Sequence, residues 1–273
     1  MKKVFSVLLA VLMTGVIIAS FAACSNEKKD SGSTDTNAAT QSDVAYIQDK
    51  GTMIVGITDY APMNYKEKGS TEWTGFDTEF AQAVGEKLGV KVEFIEIDWD
   101  NKWAELDAKS IDAVWNGMTI TDEVKLNASV TDPYVKNAQV VVMKSSDASK
   151  YTSLDQMADL QFAVEAGSAG QGVLDDAGIT TYTSVSTQSN ALMEVASGSA
   201  DACVIDITMA NAMTGEGTSY EDMSAALTLN EEEYGIAFRK DSDMTAKVNE
   251  IMKEMKADGS LQKLADKYSL TLA

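Results

Sequence analysis

From Met53 onward the chain alternates short apolar runs with stretches of helical period, and the alternation starts again after Lys150. Met53 to Ile57 reads as a buried strand. Gly75-Phe76-Asp77 opens a helix in which Phe76, Phe80, Val84 and Leu88 share one face, and Gly89 ends it. Strands are expected over 90–97, 111–115 and 140–143, with a helix over 101–109 and another capped by Thr121, whose first turn carries Asp122 and Glu123. The second round brings a short helix capped by Ser153 and a strand at 162–164. Helices over 169–177 and from Ser189 follow, then strands at 202–205 and 234–238. Two closing helices are separated by Gly259. Such alternation forms an α/β fold with a largely parallel sheet.

Composition removes several functions. The chain has 42 acidic residues against 22 basic ones, which disfavours nucleic acid, whose phosphates need Lys and Arg. No histidine is present, so His triads and His-ligated metals are excluded. Cys24 and Cys203 are too few for a disulfide scaffold or a thiolate cluster. Cys203 lies in an apolar run and reads as a buried, inert thiol. The methionines read as core filler. No cofactor is expected. Arg239 is the sole arginine.

The first residues stand apart from the fold. Lys2 and Lys3, the apolar run from Val4 to Ala19, and the small residues before Cys24 have the order of an export signal. The run is short for a membrane span of about 20 residues. Phe21-Ala22-Ala23-Cys24 resembles the lipobox of bacterial lipoproteins, with Phe21 in place of the usual leucine. That resemblance implies cleavage after residue 23 and an acylated, palmitate-bearing Cys24 that holds the chain to the extracytoplasmic face of the cell membrane. Residues 24–43, small, polar and charged, read as a flexible tether. The folded body is expected to begin near Val44.

A set of short motifs then stands in a telling order: Val55-Gly56-Ile57-Thr58-Asp59, Thr74-Gly75-Phe76-Asp77, Asp98-Trp99, Ile111-Asp112-Ala113, Gly117-Met118-Thr119-Ile120-Thr121-Asp122-Glu123, Asp132-Pro133-Tyr134, Ala166-Gly167-Ser168, Ala200-Asp201-Ala202, Asp206, and Glu233-Tyr234-Gly235-Ile236. In that order they resemble the family 3 extracellular solute-binding proteins of amino-acid ABC importers. The resemblance implies a two-lobed periplasmic-binding-protein-like fold of type II, with two crossing hinge strands. Lobe 1 would be 44–138 plus 239–273, and lobe 2 would be 139–238 with the hinge strands. It further implies a monomer that is not an enzyme and that delivers an amino acid to the transmembrane subunits of a permease.

A free amino acid needs acceptors for its ammonium and donors for its carboxylate. Asp206, at a strand end, matches the family's ammonium-binding aspartate, although a helix-capping role is open to it too; Asp59 matches a second ligand contact. Trp99 and Tyr60 match the aromatic faces that flank the ligand side chain. Asn116 and Glu165 stand beside these turns, and an acidic Glu165 favours a polar or cationic ligand. The family commonly places an arginine after the Thr-Asp-Glu run, where this chain has Val124 and then Lys125. The turns at Gly117–Thr121 and Gly167–Gly170, with the hydroxyls of Thr119 and Ser168, are therefore expected to grip the carboxylate through main-chain amides. Trp103 and Trp115 read as core. The competing reading is an enzyme on the same fold, a dehydratase or a transglycosylase. A sensory ectodomain is a third.

Overall fold

The structure is a computed structural model that describes residues 42–273. The leader, the Cys24 lipidation signal and nearly all of the expected tether lie outside these residues. The described chain runs α1 (Asp43–Lys50), β1 (Thr52–Ile57), β2 (Tyr65–Lys66), β3 (Trp73–Thr74), α2 (Phe76–Leu88), β4 (Lys91–Glu96), α3 (Lys102–Asp107), β5 (Ala113–Thr119), α4 (Asp122–Asn127), β6 (Ser129–Val130) and β7 (Val135–Lys144). It continues through α5 (Ser145–Ala148), β8 (Phe162–Glu165), α6 (Ala169–Asp176), β9 (Tyr182–Val185), α7 (Gln188–Ser197), β10 (Ala202–Asp206), α8 (Ile207–Met213), β11 (Met223–Phe238), α9 (Met244–Ala257) and α10 (Ser260–Lys267).

The main sheet has the order β4-β1-β5-β11-β7-β10-β8-β9, with β6 also on β11. At one end β1 lies parallel to β4 and β5; at the other, β8 lies parallel to β9 and β10. Two long antiparallel strands, β7 and β11, join these parallel groups. The C-terminal part of β11 pairs with β5, while the C-terminal part of β7 pairs with β10. The α/β fold expected from the alternation is the fold observed, but the sheet is mixed rather than largely parallel, because β7 and β11 pair antiparallel with each other and with their neighbours.

Helix α2 shows how the first group is packed. Phe76, Phe80, Ala81, Val84 and Leu88 are all buried on one face, and the Phe80 ring meets Trp115 of β5 edge-on at 4.9 Å. Each such large apolar side chain stabilises the fold by roughly 1.5–3 kcal/mol. The amphipathic C-terminal helices return to this end of the sheet, α10 packing on α2 and α9 on α1, α2 and β11.

The start of the folded body is pinned by charge. Arg239, just past β11, donates through Nε and Nη2 to the Asp43 carboxylate at 3.0–3.2 Å, and through Nη1 to the Ile111 carbonyl at 3.0 Å. Asp112 is held from the other side by Lys50 and by the Ile54 amide. The first helix among the described residues begins at Asp43, capped by Ser42.

Several elements differ from expectation. β5 does not stop at Trp115 but runs on through Gly117 to Thr119, so that segment is strand rather than a turn. β11 starts at Met223, and β9 is an additional strand at the far edge. Helix α7 starts at Gln188, capped by Thr187, one residue ahead of the expected start at Ser189. Ser153 precedes only a 3-10 turn and makes no capping bond. Cys203 is fully buried, and burial pushes its thiol far above the usual range.

Candidate functional site

A cleft of about 1790 Å³ lies where the C-terminal ends of strands from both parallel groups face one another across β7 and β11. β5 brings Asn116, Gly117 and Thr119 to it, and Trp99 and Lys102 come from the segment after β4. From the other side come Glu165 at the end of β8, Ser168 at the start of α6, Gln188 at the start of α7, and Asp206 at the end of β10. Strand ends of an open α/β sheet are where ligands bind in such folds.

Asp206 is the centre of the acidic end. It occupies the position before α8 but makes no side-chain capping bond, so its carboxylate is not used by that helix. Its Oδ1 instead accepts from the amides of Asn137 and Gln139, and its Oδ2 accepts from Gln188, each at 2.5 Å. The same two amides also donate to Oε1 of Glu232, at 2.6 and 2.8 Å, and the Thr119 hydroxyl donates to that oxygen at 2.6 Å. Two carboxylates thus share their donors, and none of the described lysines or Arg239 forms an ion pair with either. Burial, followed by the Glu232 charge, pushes the Asp206 pKa up to about 7.

Glu165 extends this acidic end. It is buried, its Oε1 has no hydrogen-bond partner, and burial with the nearby Asp206 raises its pKa to about 8, against a smaller lowering by Lys102. The Oδ1 of Asn137 is likewise buried without a donor. Both atoms can accept a hydrogen bond, and a donor group entering the cleft would satisfy them.

Of the residues singled out from sequence, Trp99, Asn116, Gly117, Thr119, Glu165, Ser168 and Asp206 line the cleft. Asp59 and Tyr60 do not. Asp59 is exposed, and its carbonyl accepts from the Ser189 hydroxyl at 3.3 Å. The Tyr60 ring turns inward instead of facing the cleft, because Gly117 (φ +57°) leaves the space for it: a Cβ at 117 would stand 2.6 Å from that ring. The Tyr60 hydroxyl is shared with Thr208 and Tyr234 at 2.5 Å each. Asn116 accepts from Asn64 at 2.8 Å and donates to Thr58 at 2.8 Å.

The two turns expected to grip an anion are unequal. The Gly117 amide is already given to Asp77 at 2.7 Å, and the Thr119 hydroxyl to Glu232, so the β5 side has little left to donate. The Ser168 turn retains its capacity. Ser168 caps α6 by accepting from the Gln171 amide at 3.1 Å, which leaves its own O–H free, and the first-turn amides of Ala169 and Gly170 have no partner among the described residues.

Comparison with known proteins agrees with this architecture. The family model of bacterial extracellular solute-binding proteins, family 3, matches residues 53–271. The chain belongs to that family. It is 32% identical over 228 residues to the arginine-binding extracellular protein ArtP of Bacillus subtilis, covering 80% of this chain and 86% of that protein. It is 31% identical over 287 residues to the L-cystine-binding protein TcyA of the same organism, covering 98% of this chain and 97% of that protein. Among solved structures it resembles the ancestral amino acid-binding protein AncCDT-1, a precursor of cyclohexadienyl dehydratase. The TM-score is 0.75 at 32% identity, covering 83% of this chain and 99% of that one.

Within this solute-binding protein, sequence reasoning missed five residues that shape the cleft: Lys102, Asn137, Gln139, Gln188 and Glu232. Glu232 lies in the run Glu231-Glu232-Glu233, which reads as a solvated charge cluster. Only the alternation of β11 turns its middle member toward Thr119. Lys102 had one signal, its place between Trp99 and Trp103, whose rings lie 5.0 and 5.1 Å from its ammonium.

Proposed function

We propose that this chain is the extracytoplasmic receptor of an amino-acid ABC importer, and that one amino acid is held in the cleft and handed to a permease. The ligand ammonium sits against Asp206, its carboxylate against the Ser168 turn, and its side chain between Trp99 and Glu165. Polar and cationic amino acids are preferred over acidic ones. The observation that carries this reading is the Asp206 carboxylate, buried at a strand end and supplied with three amide donors but no cation. Glu165 beside it lacks any donor for Oε1 and argues for a positively charged ligand group. ArtP, which binds arginine by name, and TcyA, which binds L-cystine, are consistent with that class.

Residues on either side of β7 and β11 act in this reading as two lobes, 44–138 with 239–273 and 139–238, and β7 and β11 serve as their hinge. The mature chain acts as a monomer on the outer face of the membrane, held there by an acylated Cys24, and it performs no reaction on its ligand. The likeness to a dehydratase precursor is the reason to test that last statement.

A thermal-shift screen of residues 25–273 against the twenty amino acids tests the reading. A ligand at 100 times its Kd adds about 2.7 kcal/mol to stability and raises Tm measurably. One amino acid, or a small related set, is expected to do so and to be recovered unchanged by mass spectrometry. No shift with any of them, or conversion of the ligand, contradicts the proposal.

A further inference from the structure

Among the described residues, the cleft has one buried cation that no carboxylate pairs with, although the Trp99 and Trp103 rings lie 5.0 and 5.1 Å from it. Lys102 opens α3 and is only 5% exposed. Its Nζ donates to the Trp99 carbonyl at 3.1 Å and, across the cleft, to the Gly167 carbonyl at 3.0 Å. An ammonium has three donors, so one remains. No carboxylate of the described residues lies within ion-pair distance of it. The acids nearest in the field are Glu123, Glu165 and Asp100, and burial outweighs them, lowering the lysine's pKa. A buried charge in that condition needs an anion.

The surroundings say where the anion would sit. The carbonyl that Lys102 grips belongs to Gly167, the residue before Ser168, so the ammonium stands at the turn that carries the free Ser168 O–H and the unpartnered amides of Ala169 and Gly170. The other lysines on the cleft, Lys125 and Lys136, are exposed, and Lys125 faces Asp122 at 3.9 Å. The start of α6 also borders the acidic cluster, since a Cβ at Gly170 would stand 3.0 Å from Oε1 of Gln139, whose amide donates to Asp206. The cleft thus sets the acceptors Asp206 and Glu232 near donors, Lys102 with the α6 amides.

We infer that Lys102 is the cation that pairs with the carboxylate of the bound amino acid, acting with the Ser168 turn. This rests on the proposal that an amino acid is the ligand. Lys102 also ties the charge to closure, since the same ammonium bridges the two sides of the cleft.

The test compares each amino acid that the wild-type chain binds with its carboxamide, which keeps the ammonium and loses the negative charge. By calorimetry the wild type is expected to prefer the acid over the amide about 100-fold, in line with a charge-assisted hydrogen bond. Lys102→Gln, which retains donors for the two carbonyls but carries no charge, should reduce that preference below about tenfold, and so should Lys102→Met. Lys102→Arg should restore it. A merely structural lysine would weaken acid and amide alike and leave the preference intact, and that result in either neutral variant overturns the inference. A wild type that binds no amino acid is a different failure, of the ligand reading itself, visible before any variant is made.

Discussion

A buried carboxylate is stable only where donors or a cation meet it, and Asp206 has the donors without the cation. Replacing it with Asn keeps the shape and removes the charge. Amino-acid affinity should then fall by about 10- to 150-fold by calorimetry, since a charged hydrogen bond of roughly 1.5–3 kcal/mol is lost and an amide is set against other amides. The same electrostatics make a pH prediction. Burial raises Asp77 to about 7, Asp206 to about 7 and Glu165 to about 8, all above the ordinary carboxylate range of about 4. Between about pH 4 and pH 8 the folded chain therefore holds protons that the unfolded chain releases. Their contribution to stability is full at the acid end and lost as pH rises through those values. The ligand-free Tm should fall across that window. Glu165→Gln, neutral throughout, should flatten the decline; an unchanged slope in this variant would show that Glu165 does not titrate there. These acids were legible as residue types but not as a cluster. Asp206 ends an apolar strand and could be read directly, whereas Glu232 was hidden among like charges. Tyr60 looked like a ligand face because only its neighbour Asp59 was visible, not the gap that Gly117 leaves for its ring.

Elements were legible where their period was clean. The four-residue spacing in α2 and the apolar runs of β1 and β10 correspond to the structure closely, whereas the run read at 140–143 is only the later part of β7, which starts at Val135. β11 was half missed because Thr228 to Glu233 is polar and follows no buried face; it is a long strand only because β7 pairs with it along that length. Two tight contacts between elements carry predictions. Gly167 (φ +68°) comes so close to the segment before α3 that a Cβ there would stand 2.9 Å from the Asp100 Cα and 2.7 Å from its Oδ1. Gly167→Ala should hold the two sides apart and weaken ligand binding at least about tenfold, measured by titration. Affinity equal to wild type would mean that this apposition plays no part in binding. Arg239 is a control of the opposite kind. It joins α1 to the sheet through Asp43, with both side chains about nine-tenths buried, and it does not line the cleft. Arg239→Met should cost about 3 kcal/mol in urea denaturation, because it leaves a buried carboxylate unpaired. Ligand affinity should stay the same.

At the scale of the whole molecule, the two parallel groups of strands are joined by β7 and β11, by the close approach of Gly167 to Asp100, and by side-chain bridges. Lys102 to Gly167, Ser189 to Asp59, and Tyr60 to Thr208 are among these bridges. In the proposed reading β7 and β11 are the hinge about which the two sides swing, and the cleft lies across them. The fold class and the place of the cleft were both legible in sequence, from the doubled alternation and the ordered motifs. The wiring of the cleft was not, because it depends on which amide meets which acid across long stretches of chain. The most direct measurement is a crystal structure of the mature protein with the amino acid that its thermal-shift screen selects. The ligand ammonium is predicted within hydrogen-bond distance of the Asp206 carboxylate, with its carboxylate at the Ser168 turn. A ligand bound outside the cleft, or one whose ammonium points away from Asp206, would contradict the account.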